Sequence, residues 1–378
     1  MDRPGALAQG TPAGGPVVPG PDVGGAGRLR SRPVPAPSSL QPLPSQGQRA
    51  RRGLLVFGLL AAAVLWISGR LAYLPPWGLA SLLLVSVLAG LWLAATPSRV
   101  AGERWLGGGL VASALLFVTT VFLPPSGPLH VERRAATPAT PPSTLRLVNV
   151  NVLHGFPAFR DQETRYAQLA AALAALEPTV VVLQEAWSVA GHGQLAARLG
   201  QELGLDAVFA SANGSRRLIG FEEGSAVLSR LPIRRAQRVV LAPRRPWWEI
   251  RVALFVTLEV APGETLTVVS THLVAGDLQT AAAQAEFLAR RLPPAATLVV
   301  AGDLNAPSAS AAARAFEAHG LRDALPGGID HVFVPASDSP WQVANAAWTL
   351  RPGELEALIG EPVAISDHPG IVVDLERR

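Results

Sequence analysis

The sequence predicts an α/β domain of mixed β-sheets with helices outside, preceded by a membrane region of about three transmembrane helices. Three observations carry that prediction. Between residues 51 and 124 lie three apolar segments without a polar face, 53–68, 78–95 and 106–123. From Thr144 onward, short apolar runs of strand length alternate with Ala- and Leu-rich stretches of helical period. The runs 250–260 and 266–270 are joined by a turn at 262–264, too short for a helical crossover, so the sheets are not purely parallel.

Residues 1 to about 50 are dominated by Pro, Gly, Ala and Ser and read as a disordered basic tail, closed by Arg49, Arg51 and Arg52. The second and third apolar segments approach the roughly 20 residues that a membrane helix needs, and the first extends toward that length only across Arg70. Trp66, Tyr73, Trp77, Trp92 and Trp105 lie near the segment ends, where amphipathic rings favour the headgroup region. A cleaved signal peptide fits poorly, because the first apolar run begins only at Gly53 and two more follow. Arginines concentrate before the first segment and, as Arg99 and Arg104, between the second and third, so tail and second loop face the cytoplasm. Three spans then put the rest of the chain on the extracytoplasmic side of the cell membrane. Arg133 and Arg134, just past the third segment, pull the other way. Residues 125–143, with Pro125, Pro128, Pro138, Pro141 and Pro142, read as a semi-rigid linker.

Composition narrows the chemistry. Cysteine is absent, which excludes a disulfide framework and a thiolate metal site. The net charge of +4 is unevenly placed: residues 1–143 carry 12 Arg against 4 acids, which is +8, and residues 144–378 carry 20 Arg against 24 acids, which is −4. A mildly acidic domain lacks the electrostatic footprint of a protein that grips long nucleic acid.

Within 144–378 the pattern reads as strand 145–152, helix 162–176 stopped by Pro178, and buried strand 180–183. Strands follow at 226–228, 250–260 and 266–270, then helix 278–291 and the strand at Leu298, which Gly302 ends. Helix 311–319 and strands 331–334, 342–350 and 371–375 complete the domain. Polar residues interrupt or end these strands: Asn151; Gln184 and Glu185; Thr271 and His272; Asp303 and Asn305; Asp330; and Ser366, Asp367 and His368. An oxygen-rich set with imidazole and no thiol suits Mg²⁺ or Mn²⁺ acting on a phosphoester.

The ordered motifs LRLVNVNVLHG, VVVLQEA, GSAVLSRLPI, VVSTHL, VVAGDLNAPS, GIDHVFV and ISDHPGIVVDL resemble the endonuclease/exonuclease/phosphatase superfamily, DNase I-like, in a membrane-anchored bacterial-type form. The resemblance covers about 144–378 and implies a four-layer α/β sandwich of two packed mixed β-sheets flanked by helices. It implies a divalent-metal-dependent phosphoesterase that hydrolyses a phosphodiester or phosphomonoester, with Glu185 as main metal ligand, Asn151 beside it and Asp367 nearby. By the same resemblance Asp303 would deprotonate the attacking water, Asn305 and His272 would hold phosphate oxygens, and Asp330 would orient His368 toward the phosphoryl group. Many nuclease members carry Asp two residues after the motif Asn, where this chain has Leu153.

Other polar residues carry plainer expectations. His154, His192, His319 and His331 are surface or structural unless His154 lines the cleft, Asp323 caps a helix or turn, and Arg251 faces solvent from an alternating strand. Trp247 and Trp248 form either a substrate wall or a loop anchor. The expected substrate is a lipid or small phosphodiester, favoured by the tether and the acidic domain. An extracellular nuclease acting on DNA or RNA is one alternative, marked by salt-sensitive binding. A catalytically silent membrane-anchored binding protein is another, and the complete set of site residues speaks against it.

Overall fold

The computed structural model describes residues 46–71, 76–96, 101–122, 129–156, 159, 161–216, 220–246, 249–351 and 365–378. The basic tail up to Ser45, Pro125 and Pro128 of the linker, and Trp247 with Trp248 lie outside the described residues.

The three apolar segments form helices α1 (Gln46–Leu71), α2 (Pro76–Ala95) and α3 (Ala101–Phe122). Arg51 of α1 donates to Glu103 of α3 at 2.9 Å, and Trp66 further along α1 donates to Ser113 of α3 at 2.9 Å, so these two helices run parallel. α2 runs back against them. A Cβ built on Gly90 of α2 or Gly107 of α3 would lie 2.8 Å from the other's carbonyl oxygen, an approach that only small residues allow. The outward faces stay apolar, with Phe57, Leu60, Leu84, Leu88, Leu115 and Leu116 exposed. Among the described residues, however, no helix is long and apolar enough to cross a membrane, which differs from the three spans expected over 51–124. The reason lies at the helix ends. α1 carries Arg49, Arg51 and Arg52 in its first two turns and α3 carries Glu103 and Arg104 in its first, so in both the apolar run is shorter than the helix.

The remaining elements are β1 (His130–Glu132), β2 (Thr144–Asn151), α4 (Gln162–Leu176), β3 (Val180–Val189), β4 (Gly193–Gln194), α5 (Leu195–Leu203), β5 (Asp206–Ser215), β6 (Phe221–Ser229), β7 (Ile233–Val240), β8 (Val252–Ala261), β9 (Glu264–His272), α6 (Leu278–Ala289), β10 (Leu298–Asp303), α7 (Ala311–Glu317), β11 (Leu321–Asp323), β12 (Asp330–Pro335), β13 (Trp341–Thr349) and β14 (Gly370–Arg377). One sheet has the order β1-β5-β6-β3-β2-β14-β13, with β4 on the end of β3; the other has the order β11-β12-β10-β9-β8-β7. β2 with β3 and β9 with β10 are parallel and the other neighbours antiparallel, so both sheets are mixed. Helices α4 and α5 bury Leu169, Leu173, Leu195 and Leu199 on the first sheet, and α6 and α7 bury Leu288 and Phe316 on the second. The four layers are those the resemblance implies.

Two differences from the sequence reading have local causes. Part of the expected linker belongs to the domain, because β1 pairs antiparallel with β5. The buried Asp206 carboxylate accepts the backbone N–H groups of Ala135 at 2.6 Å and Ile233 at 2.9 Å, tying this segment down. β7 escapes sequence reading because Arg234, Arg235 and Arg238 mask its apolar signal, as suits a strand on a sheet edge.

Strand parity locates the site. Along β2, Val148 and Val150 face the helices while Leu145 and Leu147 face the other sheet. Side chains alternate, so Asn149 and Asn151 continue the inner row. In the same way Val299 and Ala301 lead to Asp303, Leu266 and Val268 to Ser270 and His272, and Val334 and Val332 back to Asp330. Every inner row turns polar at one end of the inter-sheet layer. Gln184 seals the junction between core and site, donating to Asn149 at 3.0 Å and to Ser270 at 3.3 Å.

Candidate active site

Asp303 is the centre of this polar end, and it is 2 % exposed. Its Oδ2 accepts from Asn151 Nδ2 at 3.1 Å and lies 3.5 Å from His272 Nε2 and 3.7 Å from His368 Nε2. Its Oδ1 accepts the backbone N–H of Asn305 at 2.7 Å. Asn151 Nδ2 also donates to Glu185 Oε1 at 3.1 Å, so one amide spans two carboxylates. The structure therefore brings Asn151, Glu185, His272, Asp303, Asn305, Asp330 and His368 together. Asp367 is more peripheral: its carboxylate is exposed, 3.6 Å from His368 Nε2.

Local backbone explains the aim of these groups. A Cβ on Gly302 would lie 1.8 Å from the carbonyl oxygen of Thr271, so only glycine lets β9 and β10 approach closely enough to set His272 beside Asp303. Between Leu183 and Ala186 the pairing of β3 with β6 shifts register. Glu185 sits in that bulge with φ 53°, a left-handed conformation that turns its carboxylate out of the strand row. Asn305 adopts φ 49°, which its residue type tolerates, and its amide donates to the carbonyl of Leu273 at 3.0 Å.

Charge is distributed unequally. Burial, reinforced by the neighbouring Asp330 charge, pushes the Asp303 carboxyl up to about 6. His368 Nδ1 is paired tightly with Asp330 Oδ2. That hydrogen bond, against the effect of burial, pushes His368 up to about 9, so the ring is a cation at neutral pH. His272 is the opposite case: burial, then the Arg251 guanidinium, holds it well below the usual histidine value.

A family model described as the Endonuclease/Exonuclease/phosphatase family matches residues 148–368, more than half of the chain and every residue of this site. The chain belongs to that family. Members hydrolyse phosphoester bonds, which is the chemistry class of this site. No curated protein matches the chain. Among solved structures, the human nocturnin catalytic domain with bound sulfate is similar at 20% identity and TM-score 0.51, over 68% of this chain and 99% of that one. An endonuclease/exonuclease/phosphatase from Beutenbergia cavernae matches at 22% identity and TM-score 0.49, over 62% of this chain and 72% of that one. Sphingomyelinase C from Streptomyces griseocarneus matches at 21% identity and TM-score 0.44, over 61% and 99%. At these identities the nocturnin likeness speaks to the fold alone.

Within this family member Arg251 differs from its sequence reading, and His154, His331 and Asp323 each take one of the places that reading allowed them. Arg251 is not on a solvated face; its side chain is 11 % exposed and its Nη1 meets His272 Nδ1 at 2.8 Å. His154 does border the site, its backbone N–H donating to Glu185 Oε2 at 3.0 Å. His331 is fully buried between the Asp323 carboxylate at 2.8 Å and the Ala306 carbonyl at 2.9 Å, so it pins the turn that carries Asn305. Asp323 caps a turn, accepting the N–H of Leu325 at 3.2 Å, and also holds that histidine. Arg165 of α4, which sequence reasoning missed, donates from one nitrogen to the carbonyls of Val152, Leu153 and Ile365. It thereby ties the segment after Asn151 to the segment before His368. Nothing in the helical pattern of 162–176 marks that position, because the acceptors are backbone oxygens.

Proposed function

We propose that this chain is a membrane-tethered, divalent-metal-dependent phosphoesterase that hydrolyses a lipid or small phosphodiester on the extracytoplasmic side. The observation that carries the hydrolytic reading is Asp303: a buried carboxylate with imidazoles at 3.5 and 3.7 Å, in a cleft that ends the inter-sheet core. Asp303, once ionised, takes a proton from the water that attacks phosphorus. The His368 imidazolium, oriented by Asp330, neutralises charge growing on the phosphoryl oxygens, and His272 donates to them from Nε2. Asn305 spends one amide hydrogen on Leu273 and keeps the other for phosphate.

A hard cation fits the residues present. The donor set is hard: Glu185 turns both carboxylate oxygens toward the site beside the Asn151 amide, and Asp330 Oδ1 is buried without a hydrogen-bond partner. Mg²⁺ or Mn²⁺ would be held by Glu185 and Asn151, with Asp367 on the solvent side. When bound it supplies positive charge to the phosphoryl oxygens. Asp303, Asp330 and His368 also have ligand atoms within 4.8 Å of one another. His368 Nδ1 is already committed to Asp330, and the family resemblance places the cation on the Glu185 side.

The tether rests on the apolar sequence of 53–68, 78–95 and 106–123, which extends past the described side chains, among which no helix is long and apolar enough to cross a membrane. The lateral faces of the three helices expose large apolar side chains, whereas Arg51 and Glu103 pair at one end and Trp66 stacks edge-on to Phe117, at 5.2 Å, nearer the other. Leu65 and Phe117 belong to the same apolar cluster as the outer face of the first sheet, so the bundle contacts the domain. The excess of Arg in the tail and the second loop supports a cytoplasmic tail and an extracytoplasmic domain.

The decisive assay offers the full chain in detergent micelles a panel of sphingomyelin, inositol phosphates, a chromogenic diester, plasmid DNA and RNA with Mg²⁺. Turnover of a lipid or small diester, lost in excess EDTA, is the expected result. Full activity in EDTA would overturn the metal assignment, and salt-sensitive cleavage of nucleic acid alone would establish the nuclease alternative. For topology, alkaline phosphatase fused after Arg378 should be active and green fluorescent protein dark; the reverse pattern places the domain in the cytoplasm.

A further inference from the structure

We propose that Arg251 is a positioning residue that locks His272 as a neutral imidazole with its proton on Nε2, so that His272 gives the phosphate a hydrogen bond and never a proton. The functional half of this inference rests on the phosphoesterase reading above; the tautomer does not.

Arg251 stands just before β8, whose Ala253 pairs with Thr271 of β9, so the two strand ends carry Arg251 and His272 side by side. The contact is 2.8 Å from Arg251 Nη1 to His272 Nδ1. A guanidinium offers only N–H donors and stays protonated at any physiological pH. Nδ1 must then present its lone pair, and the single proton of the neutral ring must lie on Nε2. That nitrogen faces the site, 3.5 Å from Asp303 Oδ2. Protonating Nδ1 would break the hydrogen bond and set a second cation against the guanidinium in a place where His272 is only 6 % exposed.

Arg251 is itself held in place. Its Nη2 pairs with the Glu249 carboxylate, which keeps the guanidinium from turning out to bind phosphate from solvent. The groups around His272 are otherwise Asp303 at contact distance and the more distant His154 and His368. None of them offers Nδ1 a carboxylate.

The contrast with His368 gives the arrangement its chemical meaning. There the same ring atom, Nδ1, meets the carboxylate of Asp330. An acid on Nδ1 favours the imidazolium, while a guanidinium on Nδ1 forbids it, so opposite partners hold two histidines of one site in opposite states. His272 is a fixed donor whose state does not change during turnover, which suits a group that must stabilise charge without entering the proton balance.

The test uses the full chain in detergent, labelled with ¹⁵N-histidine, and long-range ¹H–¹⁵N correlation spectra with His272 assigned by its loss in His272→Gln. The wild type should show the neutral Nε2–H pattern for His272 across neutral pH. Arg251→Met should convert it to a mixture of tautomers with an imidazolium at mildly acidic pH, and lower kcat about 10–100-fold with little change in KM. Arg251→Lys, which restores a cationic donor, should recover part of both. An unchanged His368 signature in each variant shows that the site remains folded, and the wild-type spectrum tests the assignment even if a variant misfolds. An Nδ1–H or doubly protonated His272 in the wild type would overturn the proposal, as would an Arg251→Met variant with the wild-type pattern and turnover. The expected tautomer in a chain that hydrolyses no phosphoester would support the tautomer assignment and overturn the function proposed above.

Discussion

Replacing Asp303 by Asn is expected to lower kcat about 10²–10⁴-fold, the range over which a positioned general base acts. The substitution keeps shape and the backbone hydrogen bond from Asn305, so it separates proton acceptance from scaffolding. The pH profile should reveal the same group. Below the Asp303 value of about 6 the carboxyl holds its proton and cannot take one from water, so activity rises with pH through that region. Above about 9 His368 loses its charge and activity falls again, giving a bell. Asp303, Asp330 and His368 interact, so the two limbs belong to the set, and a bound cation draws the acid limb downward. Asp303→Asn should flatten the acid limb in what activity remains. A variant with wild-type kcat and an intact acid limb would remove Asp303 from the role of base.

Glu185→Ala should cost about 10³-fold or more, because a hard cation contributes several kcal/mol of transition-state stabilisation and each tenfold is about 1.4 kcal/mol. Glu185 offers both oxygens to the cleft, one accepting from Asn151 at 3.1 Å and the other from the backbone of His154 at 3.0 Å. Isothermal titration with Mn²⁺ checks the cause, since the variant should lose the tightest binding isotherm along with turnover. Retention of full cation affinity with lost turnover would move the metal to Asp303, Asp330 and His368.

The sequence by itself determined much of the domain. A short apolar run of strand length is a local property, and it is enough to show that the runs ending in Asn151, His272 and Asp303 are buried strands with polar ends. Helix α4 is legible to the residue because Pro178 and the Ala-Leu period bound it on their own. The motif order led to the family, which the model match over 148–368 bears out. What escaped is of another kind. β1 and β7 are edge strands with little apolar content, defined by the neighbours they pair with. The state of His272 depends on Arg251, 21 residues away along the chain, and Arg165 acts on a carbonyl 200 residues distant. Such contacts leave no periodicity, since a guanidinium on a helix or strand looks the same whether it faces water or a buried ring. Only the tertiary structure decides between those faces, because pairing β8 with β9 at the polar end of the second sheet puts an Arg that pattern assigns to solvent against the one imidazole nitrogen that must not carry a proton.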